Sequence, residues 1–423
     1  MRVAILGVGT VGAQVANILM KNKKLILARS GDEIVPVVGV VKNLNKKRDT
    51  IIELTDDIDA VIARDDIDVY VELMGGVDEP YRVVSEILKR KKAVVTANKA
   101  LLAYHRFKLQ SLAGDTPFGY EASVAGGIPI IKSLREGLSA NHVLGMTGIV
   151  NGTSNYILTS MMNGGASFED ALKKAQELGY AEADPTFDIG GFDAAHKLLI
   201  LASIAYGAHG YPEDILIEGI EGITKEDIFF ANDFEYVIKL LAIAKRVGDR
   251  VELRVHPALV PKDKMIAKVD GVMNAVSVVG DAVGETMYYG AGAGGAATAS
   301  AVISDLIDIA RGIKSPMLGY KAPLELVSLK LLEQKNIRTK YYFRLKVDDK
   351  KGVLARITNL MSENNLSIDS FLQKPNAKSD ESGLATLFFT THTSLESDVK
   401  RVMKLLSEQK FIKEMPFMIR IEE

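Results

Sequence analysis

The chain of 423 residues has no cysteine and no tryptophan. Without cysteine there can be no disulfides, thiolate zinc sites, iron–sulfur clusters or cysteine nucleophiles. An excess of one charge is also missing, since 52 lysines and arginines face 54 aspartates and glutamates. A protein that binds a phosphate backbone is normally basic, so this balance argues against nucleic acid as a partner. It also gives no reason to expect binding to an anionic membrane surface.

Long apolar runs are missing too. The start of the chain, Met1 to Gly7, is a short apolar run that glycines interrupt, whereas a signal peptide needs about 7–15 apolar residues and a cleavage site. No stretch approaches the ~18 apolar residues of a membrane span. We therefore expect a cytoplasmic protein, with two to four domains at ~100–200 residues each.

The first part of the chain alternates strand-like and helix-like segments, which is typical of a parallel sheet with helices on both faces. We expect a Rossmann-type domain over residues 1–134. Residues 135–330 combine long helical patterns with β-like runs and predict a second domain of the α+β class. The helical stretch near 296–330 is expected to return to the first domain. The strands expected in the first domain are Val3–Leu6, Ile34–Val41, Asp68–Met74 and Ala93–Thr96.

The end of the chain predicts a third unit. Residues 331–340 are polar and suit a linker. Residues 340–423 follow the order βαββαβ, the ferredoxin-like arrangement. Gly352 closes the first strand–helix turn, and Ser394 is a candidate cap for the second helix of this unit.

A glycine-rich motif of the form G-x-G-x-x-G follows the first strand and opens the first helix. In that context it predicts a dinucleotide site, because the backbone approaches a pyrophosphate at a helix N-terminus. The alternative is a tight turn without a ligand. The candidate cofactor residues of the motif are Gly7, Val8, Gly9, Thr10, Val11 and Gly12.

The end of the second strand bears on the choice of cofactor. An NAD site usually has an acidic residue there for the ribose 2′-hydroxyl. Here Lys42 follows the strand, Lys46, Lys47 and Arg48 come next, and no acid is present. The pattern favours NADP with tolerance of NAD, and the alternative is a solvated basic loop.

Two segments carry candidate catalytic residues. Lys99 follows the strand that ends at Thr96, and ligands gather beyond the carboxyl ends of such strands. Asp193 and Lys197 are four positions apart, so they share a helix face. As a surface pair they would contribute only ~0.3–0.5 kcal/mol. The following residues, 198–202, are apolar, and a buried pair is costly without a purpose.

At these residues the chain resembles the homoserine dehydrogenases, over nearly its whole length. Residues 340–423 resemble an ACT domain, a small amino-acid-sensing module. The segments that carry the resemblance are GVGTVG at 7–12, TANKALL at 96–102, YEASVAGGIPII at 120–131, NGTSNYIL at 151–158, GYAEADPTFDIGGFDAAHKLLILA at 179–202 and GAGAGGAATASAVISDL at 290–306.

The resemblance implies NAD(P)-dependent interconversion of L-homoserine and L-aspartate 4-semialdehyde, in threonine, methionine and isoleucine synthesis. Lys197 matches the catalytic proton donor and acceptor, and Lys99 matches a second lysine that contacts substrate. Glu182 and Asp193 match residues that anchor the substrate, with Asp188 in support. Further cofactor contacts are expected at Gly75, Gly76, Thr96, Lys99 and Gly295. For the glycine-rich stretch 292–295, a tight crossover without a ligand is the alternative.

The resemblance also implies a monovalent cation, typically sodium, held by Glu121 and the backbone carbonyls of Val124, Gly126 and Ile128. A simple turn contact is the alternative for Glu121. His196 is expected to be a packing residue and not a metal ligand.

The ACT-like unit implies feedback control, with threonine as the expected effector bound near Gly352. Deletion of residues 340–423 is expected to remove that inhibition, because the first two domains suffice for the reaction. The resemblance also implies that residues 135–330 bind the substrate and that a homodimer or higher homo-oligomer forms through this middle domain. Three alternatives stay open: an ACT unit that only dimerises, a non-catalytic sensor of NAD(P) and amino acids, and a dehydrogenase for another small amino or hydroxy acid.

Overall fold

The computed structural model describes residues 1–322, 326–375 and 383–423. Residues 323–325, in the segment expected to return to the first domain, and residues 376–382, in the C-terminal unit, lie outside the described residues.

Six parallel strands form the first sheet, in the order β3-β2-β1-β4-β5-β6. The order reverses between β1 and β4, which opens a crevice at the carboxyl ends of these two strands. The Rossmann-type prediction is confirmed, and two short strands, β3 and β6, are additions to it. The strands are β1 (Arg2–Leu6), β2 (Val35–Val40), β3 (Glu53–Thr55), β4 (Val69–Glu72), β5 (Ala93–Thr96) and β6 (Phe118–Gly119).

Helices cover both faces of this sheet. The side chain of Asn98 caps α5 by accepting a hydrogen bond from the Leu101 N–H, so the helix begins at Lys99. The helices of this part are α1 (Thr10–Lys21), α2 (Lys23–Ser30), α3 (Ile58–Ile62), α4 (Asp78–Lys89) and α5 (Lys99–Ala113).

The central part of the chain contains a mixed sheet with helices packed on it. Its strands are β7 (Val143–Ile149), β8 (Leu216–Ile217), β9 (Tyr236–Val247), β10 (Arg250–Pro261), β11 (Met273–Gly280) and β12 (Gly284–Ala291). Its helices are α6 (Ile130–Lys132), α7 (Gly152–Gly164), α8 (Phe168–Glu177), α9 (Thr186–Ile189), α10 (Phe192–Tyr206) and α11 (Lys225–Asp233).

The helix α12 (Gly295–Ala310) leaves this central sheet and packs against α1 and α2 of the first domain. It ends at Ala310, so it covers only the first half of the helical stretch expected near 296–330. Small residues at its start permit this close approach: a β-carbon at Gly295 would lie 3.1 Å from Thr10 Cγ2.

The C-terminal unit has the expected βαββαβ order. Ser394 does not cap its second helix, because it pairs with Thr339 as part of a short strand and its hydroxyl donates to the His392 carbonyl. The linker expected over residues 331–340 is also partly strand, since Leu331 ends a strand that pairs with β10 and residues 338–340 begin the next strand. The elements are β13 (Lys330–Leu331), β14 (Arg338–Asp348), α13 (Val353–Glu363), β15 (Ile368–Pro375), β16 (Leu384–Thr391), β17 (Ser394–Leu395), α14 (Glu396–Ser407) and β18 (Phe417–Ile421).

The C-terminal unit shares one sheet with the central domain. The strand β18 lies parallel to β10, with Arg420 opposite Ala258, and the order runs β12-β11-β7-β9-β10-β18-β14-β16-β15. The cores also merge, because the ring of Phe230 in α11 lies 4.5 Å from Tyr342 and 5.7 Å from Phe388. The strand pairing covers an edge of β10 that would otherwise expose unpaired backbone groups.

In the part of the chain that the structure describes, no helix is both long and apolar enough to cross a membrane.

Because the two units share a core, a destabilising substitution in the C-terminal unit should also destabilise the central domain. Phe388→Ala removes a buried ring that packs on Phe230 and should cost about 3–5 kcal/mol of stability. Hydrogen exchange measured by mass spectrometry should then accelerate in α11 as well as in β14 and β16.

Phe371→Ala is the matched control, because that ring is 41% exposed on the same sheet. It should leave the exchange of α11 unchanged. Faster exchange confined to the C-terminal strands in the Phe388 variant would contradict a common core.

Candidate active site

The glycine motif has the geometry that a pyrophosphate requires. Gly7 has a φ of +103°, and a β-carbon there would lie 2.6 Å from the Leu73 carbonyl oxygen. A β-carbon at Gly12 would lie 2.5 Å from the Gly7 carbonyl oxygen, whereas Gly9 faces open space. The helix α1 begins directly after Gly9 and has no side-chain cap. Its first N–H groups are therefore free to bind an anion in the crevice.

The basic segment after β2 lies against this turn. Arg48 Nε donates to the Val8 carbonyl at 2.8 Å, and its Nη1 donates to the Asn43 and Lys46 carbonyls at the same distance. Lys42 is exposed. The segment thus places cations, and no carboxylate, at the end of β2.

The other residues expected to contact a cofactor have different surroundings. Gly75 and Gly76 follow β4 with φ of +76° and +81° and face open space. Gly295 begins α12 against Thr10. The hydroxyl of Thr96, in contrast, donates to Glu72 Oε2 at 2.6 Å inside the first domain. Thr96 therefore shapes the strand end and does not offer a free hydroxyl.

The two candidate lysines meet at one carboxylate. Lys197 Nζ lies 2.6 Å from Asp193 Oδ2 and donates at 2.6 Å to the Val150 carbonyl. Lys99 Nζ lies 2.8 Å from Asp193 Oδ1. Lys99 begins α5 of the first domain, whereas Asp193 and Lys197 lie on α10 of the central domain. The cluster therefore lies where the two domains meet.

An asparagine completes this cluster. The sequence motifs do not predict a role for it. Asn151 Nδ2 donates to Asp188 Oδ1 at 2.7 Å and to Asp193 Oδ2 at 2.9 Å. Its Oδ1 accepts from the Ser154 N–H, which caps α7. The sequence feature that could have identified Asn151 is its place between a strand and a helix. At that position an asparagine side chain can accept a hydrogen bond from a free N–H group of the first helical turn.

The electrostatic balance separates the two lysines. Burial is the largest influence on Lys197 and lowers its pKa, with Asp193 opposing that shift and Lys99 adding to it. Burial also opposes the charge on Lys99, but the attraction of Asp193 and then of Asp188 outweighs it and raises the pKa of Lys99. The Lys197 side chain is 12% exposed and that of Lys99 36% exposed, so burial acts more strongly on Lys197.

The carboxylates of Glu182, Asp188 and Asp193, which we call the acidic run, differ in their surroundings. Burial disfavours the charge on Asp193, but the two lysines outweigh it and hold its pKa well below the usual range. Burial raises the pKa of Asp188. Glu182 lies on an exposed loop, and its charge helps to raise the pKa of Lys99. The structure thus unites Asp188 and Asp193 in one hydrogen-bonded cluster and leaves Glu182 at its solvent side.

Glu121 is buried and receives two backbone N–H groups. Its Oε1 accepts from Ile131 at 2.8 Å and its Oε2 from Lys132 at 2.9 Å, while its own N–H donates to Asp305. Burial and then the charge of Asp305 raise its pKa to about 7. Of the carbonyls expected beside it, that of Ile128 accepts from the Ile130 N–H. Val124 and Gly126 lie in the same loop.

His196 is buried between two rings, 5.6 Å from Tyr104 and 5.2 Å from Phe187. Among the described residues, no group of three or more His, Asp or Glu side chains is arranged to hold a metal ion. The packing role expected for His196 fits this environment.

Comparison with known proteins gives three domain matches. Residues 7–118 match the NAD-binding domain of homoserine dehydrogenase, residues 129–307 match homoserine dehydrogenase, and residues 341–410 match the ACT domain. A homoserine dehydrogenase of Helicobacter pylori is 51% identical over 422 residues, which cover 100% of this chain and 99% of the relative.

Solved structures of homoserine dehydrogenases are also similar to this chain. A homoserine dehydrogenase from Thiobacillus denitrificans superposes with a TM-score of 0.92 at 42% identity, covering 100% of this chain and 98% of the other. A hyperthermophilic archaeal homoserine dehydrogenase in complex with NADPH gives a TM-score of 0.63 at 26% identity. That match covers 74% of this chain and 98% of the archaeal one.

The raised pKa of Glu121 predicts that folding stability depends on pH. An unfolded glutamate loses its proton near pH 4.3, but the folded chain keeps it until about 7. Folding stability therefore falls as pH rises through this window, by about 4 kcal/mol at ~1.4 kcal/mol per pKa unit. Glu121→Gln removes this loss, so its stability relative to wild type should improve from pH 5 to pH 8.

Urea titrations in a Tris buffer free of sodium measure the difference, with Glu136→Gln on an exposed side chain as control. An equal pH dependence in the wild type and the Glu121 variant would show that Glu121 does not titrate in this range.

Proposed function

This chain belongs to the homoserine dehydrogenase family, and on that basis we propose that Lys197 exchanges the proton when L-homoserine and L-aspartate 4-semialdehyde interconvert. The observation that carries the assignment is the shared carboxylate of Asp193, which holds two lysines of opposite pKa shift. The lowered pKa gives Lys197 a larger share of neutral amine, which is the form that accepts a proton.

In the oxidation, the neutral amine of Lys197 takes the proton of the substrate hydroxyl. A bound nicotinamide supplies the hydride acceptor for the alcohol carbon. Asp193 then stabilises the ammonium that forms, and the Val150 carbonyl keeps it in place. Lys99 stays charged and fixes the other oxygen of the same carboxylate.

The acidic run suits the ammonium group of an amino-acid substrate. We assign that contact to Glu182 and Asp188, because the Asp193 oxygens are already occupied by the two lysines. Glu182 lies at the exposed side of the cluster, where a substrate would enter. Asp188 is held toward Asp193 by Asn151.

We assign the nicotinamide cofactor as NADP, with NAD accepted less well. The support is the basic segment from Lys42 to Arg48, which lies against the glycine turn. The archaeal relative in complex with NADPH belongs to the same family. Because the reaction draws on the pyridine nucleotides of the cell interior, we also infer a cytoplasmic location.

Glu121 is our candidate ligand for sodium. A buried carboxylate with a raised pKa gains from a nearby cation, and backbone carbonyls are suitable hard oxygen donors. The carbonyls of Val124, Gly126 and Ile128 would complete the site, which would stabilise the loop rather than take part in the reaction.

Two proposals concern assembly and control. Exposed apolar side chains at the β12 end of the central sheet, among them Leu144, Val283 and Tyr289, support a homodimer through this domain. The ACT domain supports feedback by an amino acid, and threonine is our candidate. Gly352, with a φ of +86° and open space around it, marks the turn where its backbone would meet that effector.

Replacement of Lys197 tests the proton-transfer role. Lys197→Arg keeps a cation but cannot be deprotonated, so kcat for homoserine oxidation should fall about 10²–10⁴-fold. Absorbance of the reduced nicotinamide measures it. Lys174→Arg, on an exposed lysine paired with Glu177, is the control and should keep full activity.

In the wild type, homoserine oxidation should rise with pH and aldehyde reduction should fall, both with an inflection below the usual lysine pKa of about 10.4. Full activity of the Lys197→Arg variant would refute the assignment.

Replacement of Lys42 tests the choice of cofactor. A charge-assisted bond to a 2′-phosphate contributes about 1.5–3 kcal/mol, so Lys42→Ala should raise KM for NADP about tenfold or more. KM for NAD should stay the same. Lys24→Ala, an exposed lysine of α2, serves as control. Equal changes for both cofactors would remove Lys42 from the phosphate site.

A further inference from the structure

One buried arginine of the ACT domain forms an ion pair with the central domain. Arg420 lies on β18, fully buried between two carboxylates. Its Nε and Nη2 donate to Glu396 on α14 at 3.0 and 2.6 Å. Its Nη1 and Nη2 donate to Glu218 of the central domain at 2.7 and 2.9 Å. A paired contact of this kind fixes orientation as well as distance.

Glu218 belongs to a short segment, residues 216–220, that we name the coupling segment. Its first residues form β8, which pairs with β10 at Arg254 and Val255. The Glu218 N–H continues this pairing by donating to the Val255 carbonyl at 2.8 Å. One side of the segment is thus held by the central sheet and its glutamate by the ACT domain.

The other side of the coupling segment touches the turn of residues 188–191, which we name the catalytic turn. The Ile220 N–H donates to the Ile189 carbonyl at 2.9 Å. A β-carbon at Gly219 would lie only 2.6 Å from that carbonyl oxygen, so the two backbones are in direct contact. A β-carbon at Gly191 would meet Ile217 Cγ2 at 3.3 Å and the Glu218 carbonyl oxygen at 3.4 Å.

The catalytic turn carries the groups of the reaction. Asp188 is its first residue, and Gly191, with a φ of +85°, directly precedes α10. Asp193 and Lys197 lie in the first two turns of that helix. A displacement of the coupling segment would therefore change the position of Asp188 and of the start of α10 together.

We propose that Glu218 is a positioning residue for the reaction: its ion pair with Arg420 makes the ACT domain hold the catalytic turn in place. The inference rests on the proposed roles of Asp193 and Lys197. It also revises the expectation that the first two domains suffice for the reaction in this chain, because one support of the catalytic turn comes from β18.

Glu218→Gln tests the proposal in the full chain. The side chain of Glu218 is 35% exposed and Arg420 keeps Glu396, so the substitution leaves no buried charge unpaired. We expect kcat to fall about tenfold, since small displacements of reacting groups are costly. Hydrogen exchange at Gly191 and Ile220 should accelerate. Glu218→Asp retains the charge and should recover most of the activity.

Glu226→Gln is the matched control. Glu226 is also a glutamate of the central domain that faces an ACT arginine, Arg344 at 3.7 Å, but it lies on α11. It should leave kcat and the exchange of the catalytic turn unchanged. The pH profile of kcat should shift in the Glu218→Gln variant only, because only there does the environment of Lys197 change.

The proposal fails if Glu218→Gln and Glu226→Gln have the same kcat and pH profile. It also fails if turnover falls without faster exchange at the catalytic turn, since the effect would then reach the site by another route. Activity of Lys197→Arg is read separately. If that variant stays active, the proton-transfer assignment is wrong, whereas an inactive Lys197→Arg beside an unaffected Glu218→Gln rejects the positioning role alone.

Discussion

The carboxylate of Asp193 is the contact on which the architecture of the site depends. It lies buried with one oxygen on Lys99 and the other on Lys197. Because removing a partner from a buried ion pair is destabilising, both lysines contribute to the stability of this contact. Because Lys99 comes from the first domain and Lys197 from the central one, the same contact fixes how the two domains meet. The geometry of this cluster and the docking of the two domains therefore depend on the same contact.

The glycines serve this docking at backbone level. At Gly7 the turn after β1 approaches Leu73 after β4, which brings the crevice of the first sheet together. At Gly126 a β-carbon would lie 2.6 Å from the Gly292 carbonyl oxygen, so the loop after Glu121 approaches the start of α12 just as closely. The contact at Gly126 lies directly before α12, which leaves the central sheet there and returns to α1. The first domain is thus completed by residues from late in the chain.

Local patterns account for what the sequence predicts well. The G-x-G-x-x-G turn and the i, i+4 pair of Asp193 and Lys197 need only neighbouring residues, so their geometry can be inferred from spacing. The contact between Lys99 and Asp193 depends on how two domains pack, and spacing carries no information on it. Ser394 shows the converse, because a good capping residue is recruited into a strand pair with Thr339. Arg420 reads as an ordinary arginine near the end of the chain, and only the sheet shows that it is buried.

The asymmetry of the two lysines shows how one carboxylate can pair with both and yet leave the pKa of only one of them raised. Asp193 attracts each ammonium at nearly the same distance, so proximity alone would raise the pKa of both. Burial lowers the pKa most at Lys197, and the fixed charge of Lys99 adds to that effect. The charge of Lys99 thus has two effects. It lowers the pKa of Asp193, which keeps that carboxylate ionised, and it lowers the pKa of Lys197, which favours the neutral amine. Removal of Lys99 would leave Lys197 alone with the carboxylate and would therefore raise the pKa of Lys197.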